Sequence, residues 1–345
     1  MSQARGTAWA ELPPDHGSGA AVAAIIIAAF RCERWIKPCL ESLVNSIDER
    51  HHIYVVDNGE NNGTVPDVLS FANYTVLKTE RTLGFAEANN YALVRLGRGF
   101  DYYCFLNQDT ISTPGWLDCC IECMESDTAV GAVMPMETLY DGTGIDPACD
   151  DCLQKSTSTS KIVTTSFDEV SVSITPQITA AAMVARADLI AQVGPFDPVF
   201  ESYCEDYDLG DRLISTGHKL GICHGPTVAH YSGSASPTPK ARVRKDALSL
   251  SNRALLKCRR QQSGRWLMAA TFLLWGLPRR VAAALFGRPG APSLRSVWIG
   301  YSRLAKILPR LFSATNDRAQ FERYLAELGW LRLREEDATR GDVSK

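Results

Sequence analysis

The sequence predicts an α/β fold in which helices flank a mostly parallel sheet, followed by a C-terminal helical appendage. Apolar strands alternate with amphipathic helices between residues 22 and 134. Two of these strands break off into polar residues, at Asp57 and at Asp109, and basic helix-forming sequence begins at residue 240. The length of 345 residues allows one large domain with a substantial appendage.

The elements of the predicted sheet follow one another in a regular order. The continuous apolar run at residues 22–29 is typical of a strand buried on both faces, and residues 33–46 show helical apolar spacing. Further elements are predicted at 52–56 (strand), 74–77 (strand), 84–96 (helix), 102–106 (strand), 116–125 (helix) and 129–134 (strand). Because such sheets bind ligands at the carboxyl ends of their strands, polar residues at those ends are candidate site residues.

The second half of the chain is less regular. Residues 137–176 are rich in Ser, Thr and Asp, and we interpret them as a loop-rich insertion with some strand content. Strands are predicted at 177–185, 219–223 and 228–230, with a helix starting near residue 209. We expect a flexible leader at 1–19, a main domain at 20–239, a helical region at 240–335 and a flexible tail at 336–345.

Composition narrows the class of protein. Lys and Arg total 36 and Asp and Glu total 39, a net charge of −3, which gives no global attraction to nucleic acid. The 11 cysteines show no disulfide-framework spacing, so we expect reduced thiols and a cytoplasmic protein, at most at the inner face of the membrane. Cys149 and Cys152 have the CxxC spacing of a zinc or redox pair, an alternative that stays open.

The segment at residues 201–208 carries the densest chemistry. Acidic and aromatic side chains alternate there: Glu201, Tyr203, Glu205, Asp206, Tyr207 and Asp208. Crowded carboxylates beside aromatic rings have raised pKa values, which suits a general base, a metal site or a patch that binds hydroxyls. Helix N-capping alone would also explain Glu205 and Asp206.

Strand ends offer three further candidates. Asp57 can accept a hydrogen bond from a nucleobase, although Asp-Asn-Gly is also a turn signal. Asp109 can hold a divalent cation on a diphosphate, or cap the following helix. His230 can be a metal ligand, a phosphate contact or a structural residue.

The helix predicted to begin near Gly84 suits a phosphate, because backbone N–H groups and the helix dipole favour an anion there. The segment lacks the Gly-Lys-Ser/Thr of a P-loop, and the first strand lacks a G-x-G-x-x-G. These absences argue against an NTPase and a dinucleotide enzyme.

Taken in order, these segments resemble glycosyltransferase family 2, whose members have a GT-A fold and use nucleotide sugars. The resemblance covers about residues 22–260 and is carried by motifs at 55–58, 83–90, 106–109, 194–197, 205–213 and 230–234. Within the family the pattern looks most like bacterial rhamnosyltransferases that build surface polysaccharides.

The resemblance implies a role for each candidate residue. Asp206 would deprotonate the acceptor hydroxyl, with Glu205 beside it, and Asp109 and His230 would hold Mg²⁺ or Mn²⁺. Donor-binding residues would be Asp57, Asn58, Gly84, Phe85, Asn90, Asn107 and Gln108. Acceptor-binding residues would be Tyr203, Tyr207 and Asp208.

The expected activity is inverting transfer of a hexosyl group, L-rhamnose from dTDP-rhamnose, to a glycan or a lipid-linked glycan. The first strand departs from the family pattern, since Ala28-Ala29-Phe30 stands where Thr-Tyr-Asn is usual. Two alternatives stay open: a sugar nucleotidyltransferase, and a catalytically degenerate scaffold that binds nucleotide sugars or carbohydrates.

The C-terminal region combines basic residues with short apolar stretches from residue 240 onward. Such a pattern suits an interfacial helix on an anionic membrane. It equally suits helices that pack on the main domain or on a second copy in a homo-oligomer.

Overall fold

The computed structural model describes residues 22–59, 74–96, 99–157, 161–165, 169–232, 238–261, 264–286, 288 and 291–330. The leader predicted at 1–19 and the tail predicted at 336–345 lie outside these residues.

The described strands form one sheet. They are β1 (Ala23–Ala29), β2 (His52–Asp57), β3 (Tyr74–Lys78), β4 (Tyr102–Leu106), β5 (Thr110–Ser112), β6 (Val130–Leu139), β7 (Lys161–Thr164), β8 (Glu169–Thr175), β9 (Ala182–Arg186) and β10 (Lys219–His230). Their order is β3-β2-β1-β4-β9-β6-β10-β8-β7, and β5 pairs with β10. Only β5, β8 and β9 run against the others, so the sheet is mostly parallel, as the sequence predicts.

Helices cover the sheet and continue into the C-terminal region. They are α1 (Ile36–Val44), α2 (Phe85–Leu93), α3 (Trp116–Ser126), α4 (Pro147–Gln154), α5 (Ala187–Val193), α6 (Glu205–Ser215), α7 (Pro239–Arg260), α8 (Arg265–Thr271), α9 (Leu277–Leu285), α10 (Leu294–Lys306), α11 (Leu308–Phe312) and α12 (Ala314–Glu327). A 3₁₀ turn lies at Pro198–Phe200, and a π-helical segment at Phe272–Gly276 joins α8 to α9.

The core has a layer on each face of the sheet. Successive residues of β1 point to opposite faces, so Ile26 packs with α2, α5 and α6, whereas Ile25 and Ile27 pack with α1 and α3. All three isoleucines are fully buried. This double burial explains why the first strand is an uninterrupted apolar run.

Several elements differ from the prediction. The two strands predicted at 219–223 and 228–230 are one strand, β10, whose register shifts between Cys223 and Val228. The intervening Gly225 and Pro226 interrupt the apolar pattern without ending the strand. The predicted insertion also contains a helix, α4, because Asp146 caps it and Pro147 starts it.

Among the described residues, no helix is both long enough and apolar enough to cross a membrane.

The C-terminal helices are fastened to the main domain by buried ion pairs. Arg259 on α7 contacts three carboxylates: Asp197 at 2.5 Å, Asp208 at 2.5 Å and Asp317 at 2.7 Å. Arg310 bonds Asp197 and Asp317 as well. Burial would raise the pKa of Asp317, but its arginine partners hold that pKa at about 2. The network therefore stabilises the fold at pH values above the ordinary carboxyl pKa. This stabilisation is lost as the pH falls toward 2.

Replacing Arg259 with Met removes the shared partner of three buried carboxylates. We expect Arg259→Met to lower the free energy of unfolding by about 3 kcal/mol, because three buried carboxylates each lose one of their arginine partners. Urea denaturation of the full chain measures this.

Arg260→Ala is the matched control, since Arg260 pairs with Asp211 at the surface, 2.8 Å apart. It should cost at most about 1 kcal/mol. Equal losses for the two variants would contradict a network that anchors the C-terminal helices.

Candidate active site

Polar side chains from several strands meet at one edge of the sheet. Asn107 and Asp109 follow the carboxyl end of β4, and His230 ends β10. Glu137 lies near the end of β6, which runs parallel to β10. Because parallel strands end at the same edge, these residues form one cluster, as the sequence predicts for Asp109 and His230.

His230 lies at the centre of this cluster. Its Nε2 atom is 3.6 Å from Asp109 Oδ1 and 3.1 Å from the Asn107 side-chain amide. Its Nδ1 atom is 3.5 Å from Asp146 Oδ2 and 3.0 Å from Ser232 Oγ. Burial alone would lower the pKa of His230, but Asp109 and Asp146 raise it to about 10. The site therefore favours positive charge between its carboxylates.

Sequence reasoning missed two carboxylates of this cluster, Glu137 and Asp146, both fully buried. One ligand atom each of Glu137, Asp146 and His230 lie within 4.8 Å of one another. Burial raises the pKa of Glu137 to about 7, against the lowering effects of His230 and of Thr179, whose hydroxyl is 2.9 Å from a Glu137 oxygen. The only sequence signal was the Asp-Pro helix start at Asp146.

Asp206 occupies the first turn of α6 and contacts the chain segment that leads into β9. Its Oδ2 accepts a hydrogen bond from the Ala180 N–H at 3.2 Å, and its Oδ1 one from the Tyr207 N–H at 2.8 Å. Burial raises the pKa of Asp206 to about 6 although these bonds lower it. Asp206 as a whole residue is half-buried, whereas the adjacent Glu205 is buried.

Glu205 differs from its neighbour. Burial and the adjacent Asp206 raise the pKa of Glu205 well above its ordinary value, and its Oε2 has no hydrogen-bond partner among the described residues. Both pKa values are raised, and burial is the largest cause for each carboxyl. Of the two predicted catalytic carboxyls, Asp206 is the one with both oxygens hydrogen-bonded and a pKa of about 6, near the working range of a general base.

Two consecutive residues, Ala180 and Ala181, connect Asn107 to Asp206 through main-chain hydrogen bonds. The Asn107 N–H donates to the Ala181 carbonyl at 2.8 Å, and the adjacent Ala180 N–H donates to Asp206. The charge of Asp206 also contributes to the raised pKa of Glu137. Asp206 and the cluster around His230 therefore belong to one electrostatic site.

The loop before α6 is held in an unusual conformation. Glu201, Tyr203 and Cys204 all have positive φ angles, of 57°, 72° and 71°. Asn252 on α7 donates to three carbonyls of this loop, including those of Phe200 and Tyr203 at 2.7 Å. The hydrogen bonds that hold this strained backbone thus come from Asn252 in the C-terminal helices. These helices therefore order the segment leading to Asp206.

Asp57 lies at the end of β2 with its Oδ1 buried and without a partner among the described residues. Burial raises its pKa, and Lys78 opposes this. An unsatisfied buried acceptor suits a ligand N–H donor, as predicted for a nucleobase. Asn58 instead clamps Leu83, accepting from its N–H at 2.7 Å and donating to its carbonyl at 3.0 Å.

The start of α2 differs from the predicted phosphate site. The Ala86 N–H donates to the Glu201 carbonyl at 3.0 Å, and the Phe85 N–H to Ser202 Oγ at 3.2 Å. A Cβ atom on Gly84 would lie 2.7 Å from the Glu201 carbonyl oxygen. The glycine permits close approach by the protein's own loop, so these helix N–H groups serve packing rather than an anion.

Three residues predicted to contact a ligand make contacts within the protein, and their ligand contacts stay predictions. Asn90 is fully buried and bonds the Phe196 N–H and carbonyl together with the Tyr324 hydroxyl. The Gln108 amide bonds both the N–H and the carbonyl of Phe30, at 2.6 and 2.8 Å. Tertiary neighbours therefore use both N–H groups of the Asn90 amide and one of the two N–H groups of the Gln108 amide.

Asp208 is the third of these residues. It pairs with Arg212 at 3.0 Å and with Arg259, and these arginines lower its pKa against burial. Tyr203 and Tyr207 remain half-buried beside Asp206, and Lys245 lies 5.6 Å from the Tyr203 ring. Their predicted acceptor contacts stay predictions.

An aromatic trio borders the cluster. Trp35 lies 4.1 Å from Tyr231 and 5.6 Å from Tyr140, centroid to centroid. Tyr231 follows His230 directly, and its N–H donates to the Asp109 carbonyl. The rings form a wall beside Asp109 that sequence patterns did not indicate.

The residues at the strand ends fit a divalent cation. Asp109 supplies a carboxylate ligand and His230 an imidazole, and both suit first-row divalent metals. Asp146 is positioned to hold the other imidazole nitrogen, as an outer carboxylate does in many metal sites. The buried carboxylates around His230 favour the binding of a cation electrostatically.

One cysteine contacts this site, since Cys39 Sγ donates to the Asn107 carbonyl at 3.6 Å. Cys149 and Cys152, the predicted CxxC alternative, are buried on α4 and do not occur in any described group of three metal-ligating side chains. Cys119, Cys123 and Cys223 form a buried thiol cluster in the core on the α3 face of the sheet, with sulfur atoms 3.5 and 3.6 Å from Cys223 Sγ. Hydrogen bonds among these thiols lower the pKa of Cys223 and raise that of Cys123.

Gly84→Ala tests the approach of the Glu201 loop. Because the contact atom is backbone oxygen, we expect a loss of about 1–3 kcal/mol in unfolding free energy from overpacking. Chemical denaturation of the variant measures it.

Gly144→Ala is the control, since its added Cβ would meet only Leu139 Cδ1, at 3.8 Å. It should change stability by less than about 0.5 kcal/mol. A Gly84→Ala variant as stable as the control would show that the loop does not pack on α2.

Comparison with known proteins agrees with this architecture. Residues 24–158 match the sequence profile of Glycosyl transferase family 2. No curated protein sequence matches the chain significantly.

Three solved structures are similar to the chain. The mannosyltransferase PcManGT from Pyrobaculum calidifontis, in complex with GDP-Man and Mn²⁺, aligns over 95% of this chain and 89% of its own at 16% identity, with a TM-score of 0.53. Residues 1–349 of TarS from S. aureus align over 92% and 91% at 14% identity, with a TM-score of 0.49. GalNAc-T7 with UDP, GalNAc and Mn²⁺ aligns over 69% of this chain at 13% identity, with a TM-score of 0.48, and the chain spans 51% of it.

At these identities the likeness concerns the fold, which is of the GT-A type. The profile match adds that residues 24–158 are similar in sequence to Glycosyl transferase family 2.

Proposed function

We propose that the protein is an inverting glycosyltransferase that moves a sugar from a nucleoside diphosphate to a hydroxyl of a glycan or lipid-linked glycan. The family resemblance supports L-rhamnose from dTDP-rhamnose as the donor and surface polysaccharide as the product. The reaction would take place at the inner face of the cytoplasmic membrane.

One observation carries the proposal. Asp206, a carboxylate whose pKa is raised to about 6, is linked through the main chain of Ala180 and Ala181 to Asn107, which contacts His230 of the metal-suited pair Asp109 and His230. A base and a cation site joined by two residues of main chain meet the needs of glycosyl transfer. One neutralises a leaving diphosphate, and the other receives a proton from the attacking hydroxyl.

The chemistry balances without further reactants. The acceptor oxygen forms a bond to the anomeric carbon as the bond from that carbon to the diphosphate oxygen breaks, and the electron pair leaves with the diphosphate. The hydroxyl proton passes to Asp206. Attack opposite the leaving group inverts the anomeric centre.

A divalent cation held by Asp109 and His230 would supply charge neutralisation for the diphosphate. Similar structures determined with Mn²⁺ support this cofactor class, Mg²⁺ or Mn²⁺. Asp146 keeps the His230 ring oriented toward Asp109 by facing its Nδ1 atom.

Donor recognition is supported most directly at Asp57. Its unpartnered Oδ1 can accept the N3–H of a thymine or uracil ring, which presents one donor between two carbonyls. The aromatic trio Trp35, Tyr140 and Tyr231 lies near the metal-suited pair and can pack against the donor.

A binding scaffold is the second candidate function. Two sets of groups that were expected to contact a donor are hydrogen-bonded within the protein instead, which favours this candidate. They are the first N–H groups of α2 and the Gln108 amide. A nucleotidyltransferase has less support, because the turn after β1 carries Phe30 bound to Gln108 where that class needs a basic glycine-rich loop. Nucleotide-sugar binding without turnover would select the scaffold.

Asp206→Asn should lower kcat by roughly 10²–10⁴-fold, the usual contribution of a general base. In the wild type, kcat/KM should fall as pH drops through about 6, because the carboxylate takes up a proton there and ceases to be a base. Initial rates across a panel of nucleotide sugars and hydroxyl acceptors measure both effects.

Asp211→Asn, on the outer side of the same helix, is the control and should retain wild-type rates. Full activity of Asp206→Asn, or a flat profile between pH 5 and 7, would remove Asp206 from the reaction.

Chelation tests the cation site. EDTA should abolish transfer, and Mn²⁺ or Mg²⁺ should restore it. Asp109→Asn should raise the metal concentration needed for half-maximal activity by about tenfold or more, because one of its few ligands is weakened. Electron paramagnetic resonance of Mn²⁺ with nucleoside diphosphate reports the same loss without turnover. Metal-independent transfer would contradict the assignment.

A further inference from the structure

Exposed large apolar side chains are concentrated in one part of the protein. Ten of the thirteen found in the described chain fall between residues 266 and 312. Trp266, Leu274, Trp275, Leu285, Phe286 and Trp298 are each 61–82% exposed. Soluble surfaces rarely carry such a concentration without a partner.

These side chains lie on the outer faces of two helical segments. From Phe272 to Leu285 the described chain buries no residue, although the segment is mostly apolar. On α10, Val297, Gly300 and Leu304 face inward, so Trp298 lies on the opposite side. Tyr301 joins the two segments by donating to the Phe272 carbonyl at 3.1 Å. We call this surface, formed by the outer sides of α8, the π segment, α9 and α10, the apolar-basic face.

The charge of the region is one-sided. Residues 247–316 contain twelve Lys and Arg and no Asp or Glu, in a chain whose net charge is −3. Arg279, Arg295 and Lys306 are exposed on the apolar-basic face and make no ion pair with any described residue. Tryptophan beside arginine is the composition of surfaces that seat in the headgroup region of a bilayer.

We propose that the apolar-basic face docks on a bilayer containing anionic phospholipid. Its tryptophans enter the interfacial region, and its basic side chains contact lipid phosphates. Charge complementarity selects this occupant over a second copy of the chain, because two such faces would bring like charges together across the contact.

A groove adjoins the docking face. A groove of about 510 Å³ lies between α10 and the loop before α6, and its walls include Val199, Glu201, Trp298 and Lys306. Docking therefore sets the mouth of this groove at the lipid surface. Delivery of a lipid-borne acceptor through it rests on the proposed function, whereas docking itself does not.

Flotation of the full-length protein with vesicles tests the proposal. We expect binding to vesicles of phosphatidylcholine with phosphatidylglycerol, weak binding to phosphatidylcholine alone, and loss of binding as salt is raised. Trp275→Glu combined with Trp298→Glu should lower the partition coefficient by about tenfold or more. Ile214→Glu, an exposed apolar residue on α6, is the control and should bind as the wild type does.

We expect the variants to fold, because the substituted side chains are exposed. Thermal melts measure this. Equal binding by the double variant, or no binding by the wild type, would overturn the proposal. So would concentration-dependent dimerisation of the wild type that the double variant loses, because the face would then join two copies. These readouts need no catalysis, so they remain informative whether or not the protein transfers a sugar.

Discussion

The site depends on the two-residue segment Ala180–Ala181, which leads into β9. One peptide group of this segment accepts from Asn107 at the end of β4, and the other donates to Asp206 on α6. Because β9 runs antiparallel between β4 and β6, its first residues reach the edge where the neighbouring parallel strands end. A single reversed strand thereby sets the separation between the proposed base and the proposed cation site.

Helix α6 is held from both sides. Asp206 faces the cleft, whereas Asp208 reaches Arg259 in the buried ion network. The C-terminal helices also supply Asn252, which holds the positive-φ loop, and Arg303, which bonds Glu201 at 3.1 Å. The C-terminal region is thus part of the active-site framework as well as the carrier of an exposed face. The energetic cost of burying its charges is consistent with a need for one fixed geometry.

Features with a local cause were predictable from the sequence. The strands of the parallel sheet are buried on both faces, so their apolar runs are long, and Asp57, Asp109 and His230 stand where those runs stop. Tertiary contacts were not predictable in this way. The family resemblance implied a donor contact for Asn90, but its partners Phe196 and Tyr324 come from distant segments, which the motif does not show.

The insertion shows the same limit. Glu137 and Asp146 belong to the cluster around His230, yet their surroundings lack periodicity, and only pairing of β6 with β10 brings them there. The basic and apolar residues of the apolar-basic face were visible in the sequence. Whether those apolar side chains pack inside the protein or stay exposed depends on the positions of α7 and α10. The burial of a side chain depends on neighbours from distant parts of the chain, and a pattern of adjacent residues does not show those neighbours.

A crystal structure of the full chain with Mn²⁺ and a nucleoside diphosphate would test the central claim most directly. The account predicts the metal on Asp109, the diphosphate between the strand ends and the start of α6, and the Asp206 carboxylate facing the vacant acceptor side. A nucleotide bound elsewhere, or a metal on Asp109 with Asp206 turned away from the diphosphate, would contradict it.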